Sequence, residues 1–474
     1  MPLAVVKQHG CAFLLLLGSV YVGTKGIGAT LLTATLLPYF KLHLHLSNYE
    51  YQTSLVVVML PWALKSVLGI LADRLQCCGY GKQLFFGASV LIGTVCATLL
   101  AVLPNLTLLP TVTLLAITFG ISLQVAFTDL LSEGVYAKKI SAQPHTSTAT
   151  LSAVWWAMAL GSLIGTVVAG VTANYVRVAF AIVACMCLQC GLPLFSSLFA
   201  NSAEKNRKDM AELPVVCVAV SVAAVSASAA SVFAPVHVQI AVGVLALAVA
   251  LAVNFWKLPP MLARCNAYMF LVNVLNFNFA GAINYWYTAP NTCVRGGPAL
   301  TVQYYITVGG VLGALFSLLG VELYKRTLSH WNPQHVFQLT ALLRCAAAAV
   351  DVIIINRWNI AAGVPDKTAF VLGKAMLDPV IIAMDAMPMV ALTANLCPEG
   401  HETSVYALLA SYQNFGGTLA TVFGMAAAHY ANVHMTETTT QCTYDALPTL
   451  IVACNMLLPL ACVPLSFILP SEKK

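Results

Sequence analysis

Long apolar runs recur along almost the whole chain and limit what it can fold into. Each is roughly 18 to 25 residues long, enough to cross a hydrocarbon layer of about 30 Å as a helix. Of the 474 residues, 59% are hydrophobic and only 8% are charged, too few polar residues for a soluble domain. Backbone groups in lipid must be paired internally, and the alternating pattern of barrel strands is missing. The sequence therefore predicts an all-α polytopic membrane protein.

The apolar runs predict about fourteen spans. The first run resembles a signal peptide over a few residues, but it stays apolar through Leu37 without a clear cleavage site, so we expect a retained span. The stretch 214–255 is rich in Ala, Val and Ser and could instead form one re-entrant element, which puts the count at 12–14. The predicted spans are 11–37, 50–72, 83–104, 109–133, 147–172, 177–199, 214–232, 236–255, 265–289, 300–323, 335–354, 366–394, 403–431 and 445–469.

Basic residues predict the orientation. With the N-terminus inside, most Lys and Arg residues fall in inner segments, as expected for cytoplasmic loops. Only Lys41, Arg177, Arg295 and Arg357 lie at or near outer loops. This bias favours an even number of spans with both termini cytoplasmic, and we expect the plasma membrane. The net charge of +6 is spread over short loops and forms no patch, so we expect no nucleic-acid partner.

An internal repeat predicts the domain organisation. The segment GSLIGTVV at 161–168 recurs as GGTLATVF at 416–423, and each copy follows a helix with an acidic residue, Asp129 or Asp385. Two six-span halves related by a parallel repeat are the architecture of major facilitator transporters. The predicted domains are an N-terminal six-helix bundle at 1–200, a cytoplasmic linker with a two-helix hairpin at 201–262, and a C-terminal six-helix bundle at 263–474.

The second predicted span carries a family resemblance. The segment LPWALKSVLGILADRLQCCGYGKQLFF at 60–86 resembles the second span and following loop of the folate-biopterin (pteridine) transporter family, although only Lys82 follows where that family has several arginines. The matching positions are Pro61, Trp62, Lys65, Gly69, Asp73, Gly79 and Tyr80. The segment VAFTDLLSEGVYAKK at 125–139 and the series Lys374, Asp378 and Asp385 are similar to the same family.

The resemblance implies a secondary active transporter of a folate or biopterin, coupled to protons and working by alternating access. It also implies a gate loop formed by Lys65, Gly69, Asp73, Gly79 and Tyr80, in which Asp73 latches helices on the cytoplasmic face. Members of this family also carry other metabolites such as S-adenosylmethionine, so that alternative stays open. The shortened basic loop leaves open a non-transporting, receptor-like member.

Ionisable residues inside the predicted spans are the candidate site. A charge at mid-bilayer costs at least about 2.5–3.5 kcal/mol on insertion scales, so its presence calls for a function or a partner. Asp129 and Glu133 are four residues apart and share one helical face. We expect the cations to bind anionic or carbonyl groups, and the carboxylates to accept ring N–H donors and a coupling proton. The candidates are Lys25, Asp129, Glu133, Arg344, Lys374, Asp378 and Asp385.

Two other interpretations compete with this one. Charges could simply pair, Lys374 with Asp378 and Arg344 with Asp351, while Lys65 or Arg74 reaches the membrane surface near a helix end. Aromatic residues at 155–156, 285–287 and 304–305 could stack on a flat heteroaromatic ring. For 285–287 an interfacial aromatic belt is the favoured interpretation.

Other function classes have little support in the sequence. A GxxxxGK[ST] loop is missing, which disfavours ATP-driven pumping. The histidines lie mainly in loops and form no catalytic group, so we expect no enzyme, no cofactor and no metal site. Most of the 15 cysteines lie in apolar runs, whereas Cys293 and Cys442 fall in outer loops, where a disulfide could form.

Overall fold

The chain is helical throughout the part described by the computed structural model, which covers residues 10–74, 81–103, 110–142, 147–199, 212–396, 402–435 and 442–470. In these residues the only extended pairing outside helices is an isolated bridge between His434 and Thr443. Apart from short turns, the helices are α1 (Cys11–His43), α2 (48–74), α3 (Gly81–Val102), α4 (Thr111–Ala142), α5 (Ser147–Thr172), α6 (Val176–Gln189), α7 (Leu213–Phe233), α8 (Val236–Lys257), α9 (Pro260–Val274), α10 (Ala280–Tyr287), α11 (Val302–Leu323), α12 (Pro333–Ile355), α13 (366–396), α14 (Glu402–Tyr430) and α15 (Leu447–Ile468).

Eleven helices in the described part are long and apolar enough to cross a membrane. They confirm the prediction of an all-α polytopic membrane protein. The stretch 214–255 forms two separate helices, α7 and α8, of 21 and 22 residues. Each helix is long enough to span a membrane. The alternative of a single re-entrant element is therefore wrong.

Contacts divide the chain into two compact units. The first unit combines Met1–Tyr39, Leu64–Pro214 and Cys397–Ala410, and the second combines Phe40–Ala63, Val215–Leu396 and Ser411–Lys474. Neither unit is one contiguous stretch, because each takes in a short piece from the other half of the sequence. The predicted boundaries near 200 and 263 stay a prediction.

The repeated glycines allow helices to touch through their backbones. In the first unit a Cβ at Gly161 of α5 would lie 2.8 Å from the Cα of Gly26 in α1. In the second unit a Cβ at Gly416 of α14 would lie 2.8 Å from the carbonyl oxygen of Phe270 in α9. Small residues permit such close crossings in membranes, where packing rather than water drives helix association. Each copy of the repeat therefore provides a close helix–helix contact within its own unit.

The predicted span 265–289 is interrupted, which corrects the expectation of one continuous helix. α9 ends at Val274 and α10 begins at Ala280. The Asn278 side chain accepts a hydrogen bond from the Ala280 N–H at 2.8 Å, and asparagine competes in this way with regular helix bonding. A span assigned by its length and apolar composition does not register such a break.

Side chains of other helices satisfy the backbone groups that the break releases. Asn455 of α15 donates to the Phe277 carbonyl at 2.6 Å, and Gln52 of α2 donates to the Asn278 carbonyl. The Asn278 N–H donates to the Ala420 carbonyl of α14 at 3.1 Å. Non-helical backbone at membrane depth is tolerated only with partners of this kind. The break at 275–279 is therefore a built feature of the second unit.

Cys293 and Cys442 form a disulfide in the second unit. The bond joins the segment after α10 to the segment before α15, across 149 residues of sequence. The sequence had left this pairing open.

We predict that Gly161→Ala destabilises the protein by about 1–3 kcal/mol, the usual cost of overpacking, because the new methyl group meets backbone atoms that cannot move aside. Gly18→Ala in α1 is the matched control, since nothing lies within 4 Å of its Cβ position. Thermal unfolding of the detergent-purified variants at one scan rate checks this. Equal unfolding temperatures would show that α1 and α5 do not cross at this glycine.

Candidate functional site

Four charged residues form a compact cluster inside the first unit. Asp129 of α4 lies between two lysines, with its Oδ1 2.7 Å from Lys25 Nζ of α1 and its Oδ2 2.6 Å from Lys65 Nζ of α2. Lys65 also lies 3.2 Å from Glu133, one turn further along α4. We call Lys25, Lys65, Asp129 and Glu133 the lysine–carboxylate cluster. It joins three helices and holds two charges of each sign.

Asp129 and Lys65, at the centre of the cluster, are withdrawn from solvent. The side chain of Asp129 is 0% exposed and that of Lys65 is 3% exposed. Lys65 therefore does not reach the membrane surface near a helix end, which corrects that alternative. The sequence grouped Lys65 with a gate loop, but its ammonium lies among the candidate site residues. Buried charges at such distances are retained only when they are paired.

A tyrosine that the sequence analysis missed lies next to this cluster. The Tyr21 hydroxyl is buried and has no hydrogen-bond partner in the described part of the chain. The Tyr21 ring lies 5.8 Å from Lys25 Nζ and 6.2 Å from the ring of Tyr136. Tyr21 precedes Lys25 by four residues, so helical spacing could have identified it. It adds a hydroxyl group to a set of charged groups.

The second unit contains a cavity of about 630 Å³. The helices α9, α10, α12, α13, α14 and α15 and the break at 275–279 contribute to its lining. The charged lining residues are Arg344, Asp351, Lys374, Asp378 and Asp385. The lining side-chain amides are Asn273, Asn276, Asn278, Asn284, Gln413, Asn414 and Asn455. This volume is within the range of small-molecule sites.

Ion pairs organise the charged lining. Lys374 Nζ lies 3.2 Å from Asp351 Oδ2 and 3.0 Å from Asp378 Oδ2. Arg344 pairs with Asp385 and donates to the Val272 carbonyl at 3.3 Å. The expected Lys374–Asp378 pair forms, but the expected Arg344–Asp351 pair does not, because Asp351 is held by Lys374. Spacing within one helix predicted the first pair and could not predict partners on different helices.

The cavity is electrically unbalanced. Three carboxylates face two cations in its lining, a formal excess of one negative charge. Asp378 contacts Lys374 only through Oδ2 among the described contacts, and its side chain is 24% exposed. The cavity can therefore attract a cation, a proton or a hydrogen-bond donor at one point without losing its other pairs.

Two of the three lysines in these clusters lie in widened helical turns. Lys25 lies in the π-helical stretch Leu17–Gly28 of α1, and Lys374 lies in the π-helical stretch Val371–Leu377 of α13. π-helical turns are rare and occur often at functional sites. No sequence pattern predicted either π-helical stretch.

The aromatic segment 285–287 is buried, not interfacial. Tyr285, Trp286 and Tyr287 are at most 2% exposed. The prediction that these residues form an interfacial aromatic belt is therefore wrong. The Tyr287 hydroxyl donates to Asp351 Oδ1 at 3.0 Å, and the Tyr287 ring lies 5.8 Å from that of Tyr305. These rings support the charged lining. Trp156, in contrast, is 57% exposed.

The predicted gate loop is only partly described. Gly69 of α2 packs inside the first unit, where a Cβ would lie 3.6 Å from the side chain of Ala407. The side chain of Asp73 and the whole of Gly79 and Tyr80 lie outside the described residues. The role of this loop stays a prediction.

The family follows from a match over nearly the whole chain. A model of the BT1 family matches residues 25–474. The chain belongs to the BT1 family. Two curated relatives with this likeness are a "Probable folate-biopterin transporter 6" of Arabidopsis thaliana, 24% identical over 75% of this chain and 64% of the relative, and a "Folate-biopterin transporter" of Synechocystis sp., 25% identical over 84% and 71%. The match therefore spans just under two thirds of the length of the Arabidopsis relative.

Solved structures give this BT1 family member its fold class. A POT family peptide transporter in an auto-inhibited state aligns with a TM-score of 0.65 at 14% identity, covering 96% of both chains. A D-xylose–proton symporter aligns with a TM-score of 0.58 at 13% identity over 97% of both. At these identities the likeness shows the fold alone. The protein is a multi-pass membrane protein with the major facilitator fold, and its family is one of transporters, not enzymes.

We predict that Lys65→Ala in this BT1 family member destabilises the fold by about 3–5 kcal/mol, because it leaves the buried Glu133 without its lysine and Asp129 with Lys25 alone. Thermal unfolding of the detergent-purified variant measures the loss. Arg326→Ala is the control, since its pair with Glu322 is exposed and contributes little.

A double variant separates charge from packing. Lys65→Ala with Glu133→Gln leaves one lysine and one carboxylate in the cluster and the same small side chain at position 65, so we expect part of the lost stability to return. If the double variant unfolds as early as the single one, unpaired charge is not the cause.

Proposed function

We propose that the chain is a secondary active transporter that moves a folate- or biopterin-type pteridine across the plasma membrane, with both termini in the cytoplasm. The transport is coupled to protons and proceeds by alternating access. The curated relatives named above carry the words folate-biopterin transporter in their names. For this chain, the proposal of a pteridine substrate is supported by the chemistry of its own cavity.

The charged and amide-lined cavity carries the proposal. Its volume of about 630 Å³ is enough for a pteridine with its side chain, because small-molecule sites are about 300–1,000 Å³. Lys374 and Arg344 supply cations for carbonyl or carboxylate groups, and the side-chain amides supply directional hydrogen bonds. Charges and amides in membrane helices are costly unless they serve a pathway or a partner. A substrate pathway accounts for the whole set.

The charge excess supports proton coupling. A folate brings carboxylates into a cavity that already holds one unmatched carboxylate, so an anionic substrate would be repelled. Binding of one proton removes the excess, and Asp378 is the most exposed of the three carboxylates and shares its lysine with Asp351. Proton and anion then favour each other's binding, which is a coupling between two ligands. We assign the coupling proton to Asp378.

The same excess favours a second candidate substrate. S-adenosylmethionine carries a sulfonium and an ammonium group, which a negative cavity attracts without any proton. Such a substrate would be taken up without a rise at acid pH. The dependence on external pH therefore discriminates between the two candidates.

Uptake by cells that lack pteridine uptake tests the proposal. We expect saturable accumulation of labelled folate or biopterin, rising several-fold as the external pH falls from about 7.5 to 5.5, because in proton-coupled transport a larger inward proton gradient drives more substrate inward. Labelled S-adenosylmethionine is measured beside them. Surface protein that accumulates none of the three compounds would sink the proposal and would favour a receptor-like role.

Asp378→Asn is the control for the coupling proton. The amide is a permanently neutral replacement of nearly the same shape, so uptake should become independent of pH while the substrate is still bound. If uptake by this variant still depends on pH, the coupling proton binds to a group other than Asp378.

Lys374→Ala tests the cation. We expect uptake to fall by at least about tenfold, because the variant leaves Asp351 and Asp378 unpaired in the cavity and removes a substrate contact. Lys367→Ala is the matched control, since Lys367 lies in the same helix, is exposed and does not line the cavity. Equal uptake by both variants at equal surface levels would remove Lys374 from the site.

A further inference from the structure

Two asparagines in the cavity are joined into one hydrogen-bonding unit. The Asn455 Nδ2 group of α15 donates to Asn276 Oδ1 at 2.8 Å and to the Phe277 carbonyl at 2.6 Å. Asn276 lies in the break at 275–279, so its side chain leaves a non-helical backbone. We call Asn276 and Asn455 the asparagine pair. Both residues line the cavity and are half-buried.

The asparagine pair leaves one donor and one acceptor available. An amide has two N–H donors and one carbonyl acceptor, and the internal bonds use Asn276 Oδ1 and Asn455 Nδ2. Among the described residues, Asn276 Nδ2 and Asn455 Oδ1 have no protein partner. The two internal bonds also fix how the amides are turned. The pair therefore presents an N–H beside a C=O to whatever occupies the cavity.

We propose that the asparagine pair reads the edge of the pteridine ring and selects 4-oxo over 4-amino pteridines. This inference rests on the proposed function and adds the part of the substrate that is recognised. A 4-oxo pteridine presents a carbonyl acceptor at C4 beside an N–H donor at N3. Asn276 Nδ2 donates to the C4 carbonyl, and Asn455 Oδ1 accepts from N3–H. A 4-amino pteridine reverses both groups, and the ring substituent that points toward Lys374 and Arg344 prevents it from turning over.

The neighbouring amides are less suited to this role. Asn278 uses its Oδ1 for the Ala280 N–H and its Nδ2 for Thr421. Asn284 uses its Oδ1 for the Tyr305 hydroxyl and its Nδ2 for the Tyr51 hydroxyl. Both side chains are therefore occupied in holding helices together. The asparagine pair combines a fixed geometry with unused hydrogen-bonding groups.

Asn276→Asp tests the inference with little change to the pair. The carboxylate still accepts from Asn455, but the donor that faced the C4 carbonyl becomes an acceptor suited to a 4-amino group. We expect the ratio of the Kd for the 4-amino analogue of biopterin to that for biopterin to fall by at least about tenfold, since unmatched polar groups cause strong discrimination. Equilibrium binding to the purified full-length protein gives both constants without requiring transport.

Gln413→Glu is the matched control. It adds the same charge to the same cavity, and its partner Thr393, 3.2 Å away, has a hydroxyl that can donate to a carboxylate instead. We expect its ratio to stay at the wild-type value. If Asn276→Asp and Gln413→Glu shift the ratio equally, added charge is the cause and the edge-reading role is overturned.

The outcomes also separate this inference from the proposed function. If the wild-type protein binds biopterin and the 4-amino analogue equally well, the recognition role of the asparagine pair is overturned and the proposed transport function is not affected. Wild-type protein that binds neither compound overturns both. A wild-type preference for biopterin that Asn276→Asp lowers and Gln413→Glu keeps supports the inference.

Discussion

Asp129 accepts ion pairs from two lysines on two other helices, and the first unit depends on this arrangement. An isolated carboxylate at such a position would be far too costly to keep ionised, and so would either lysine alone. Each oxygen of Asp129 has its own lysine at 2.6–2.7 Å, so three helices are fixed at one point. The close crossing of α1 and α5 through Gly26 and Gly161 is compatible with it, because Lys25 lies next to that glycine. Packing and charge pairing thus specify the same position of α1.

The second unit also contains buried charges, but it stabilises them in a different way. Its charges are also paired, but the pairs line a cavity and leave one carboxylate without its own cation. A balanced, closed cluster has little to offer a charged ligand, since every new contact breaks an old one. An unbalanced set that lines a cavity can exchange a proton or a donor group at low cost. This difference is the reason to place substrate chemistry in the second unit.

The sequence predicted the elements well and their partners poorly. Hydropathy located the spans because lipid imposes length and composition, and the cost of buried charge singled out Lys25, Asp129, Lys374 and Asp385. Spacing could pair Lys374 with Asp378, because both lie on one helix. It could not show that Arg344 meets Asp385, since that choice depends on how two helices pack. The break at 275–279 was invisible because a window of hydropathy does not register which asparagines compete for backbone bonds.

The break links the cavity to α2, which is not among the helices that line it. Its freed carbonyls and N–H groups take partners from α2, α14 and α15, and in lipid no water replaces a lost partner. Rewinding residues 275–279 would therefore require these helices to change their contacts together. In the proposal, a substrate bound to Asn276 contacts this segment directly, so binding would change the stability of the bonds between the segment and these helices. Substrate recognition and the rearrangement of the helices would then both depend on residues 275–279.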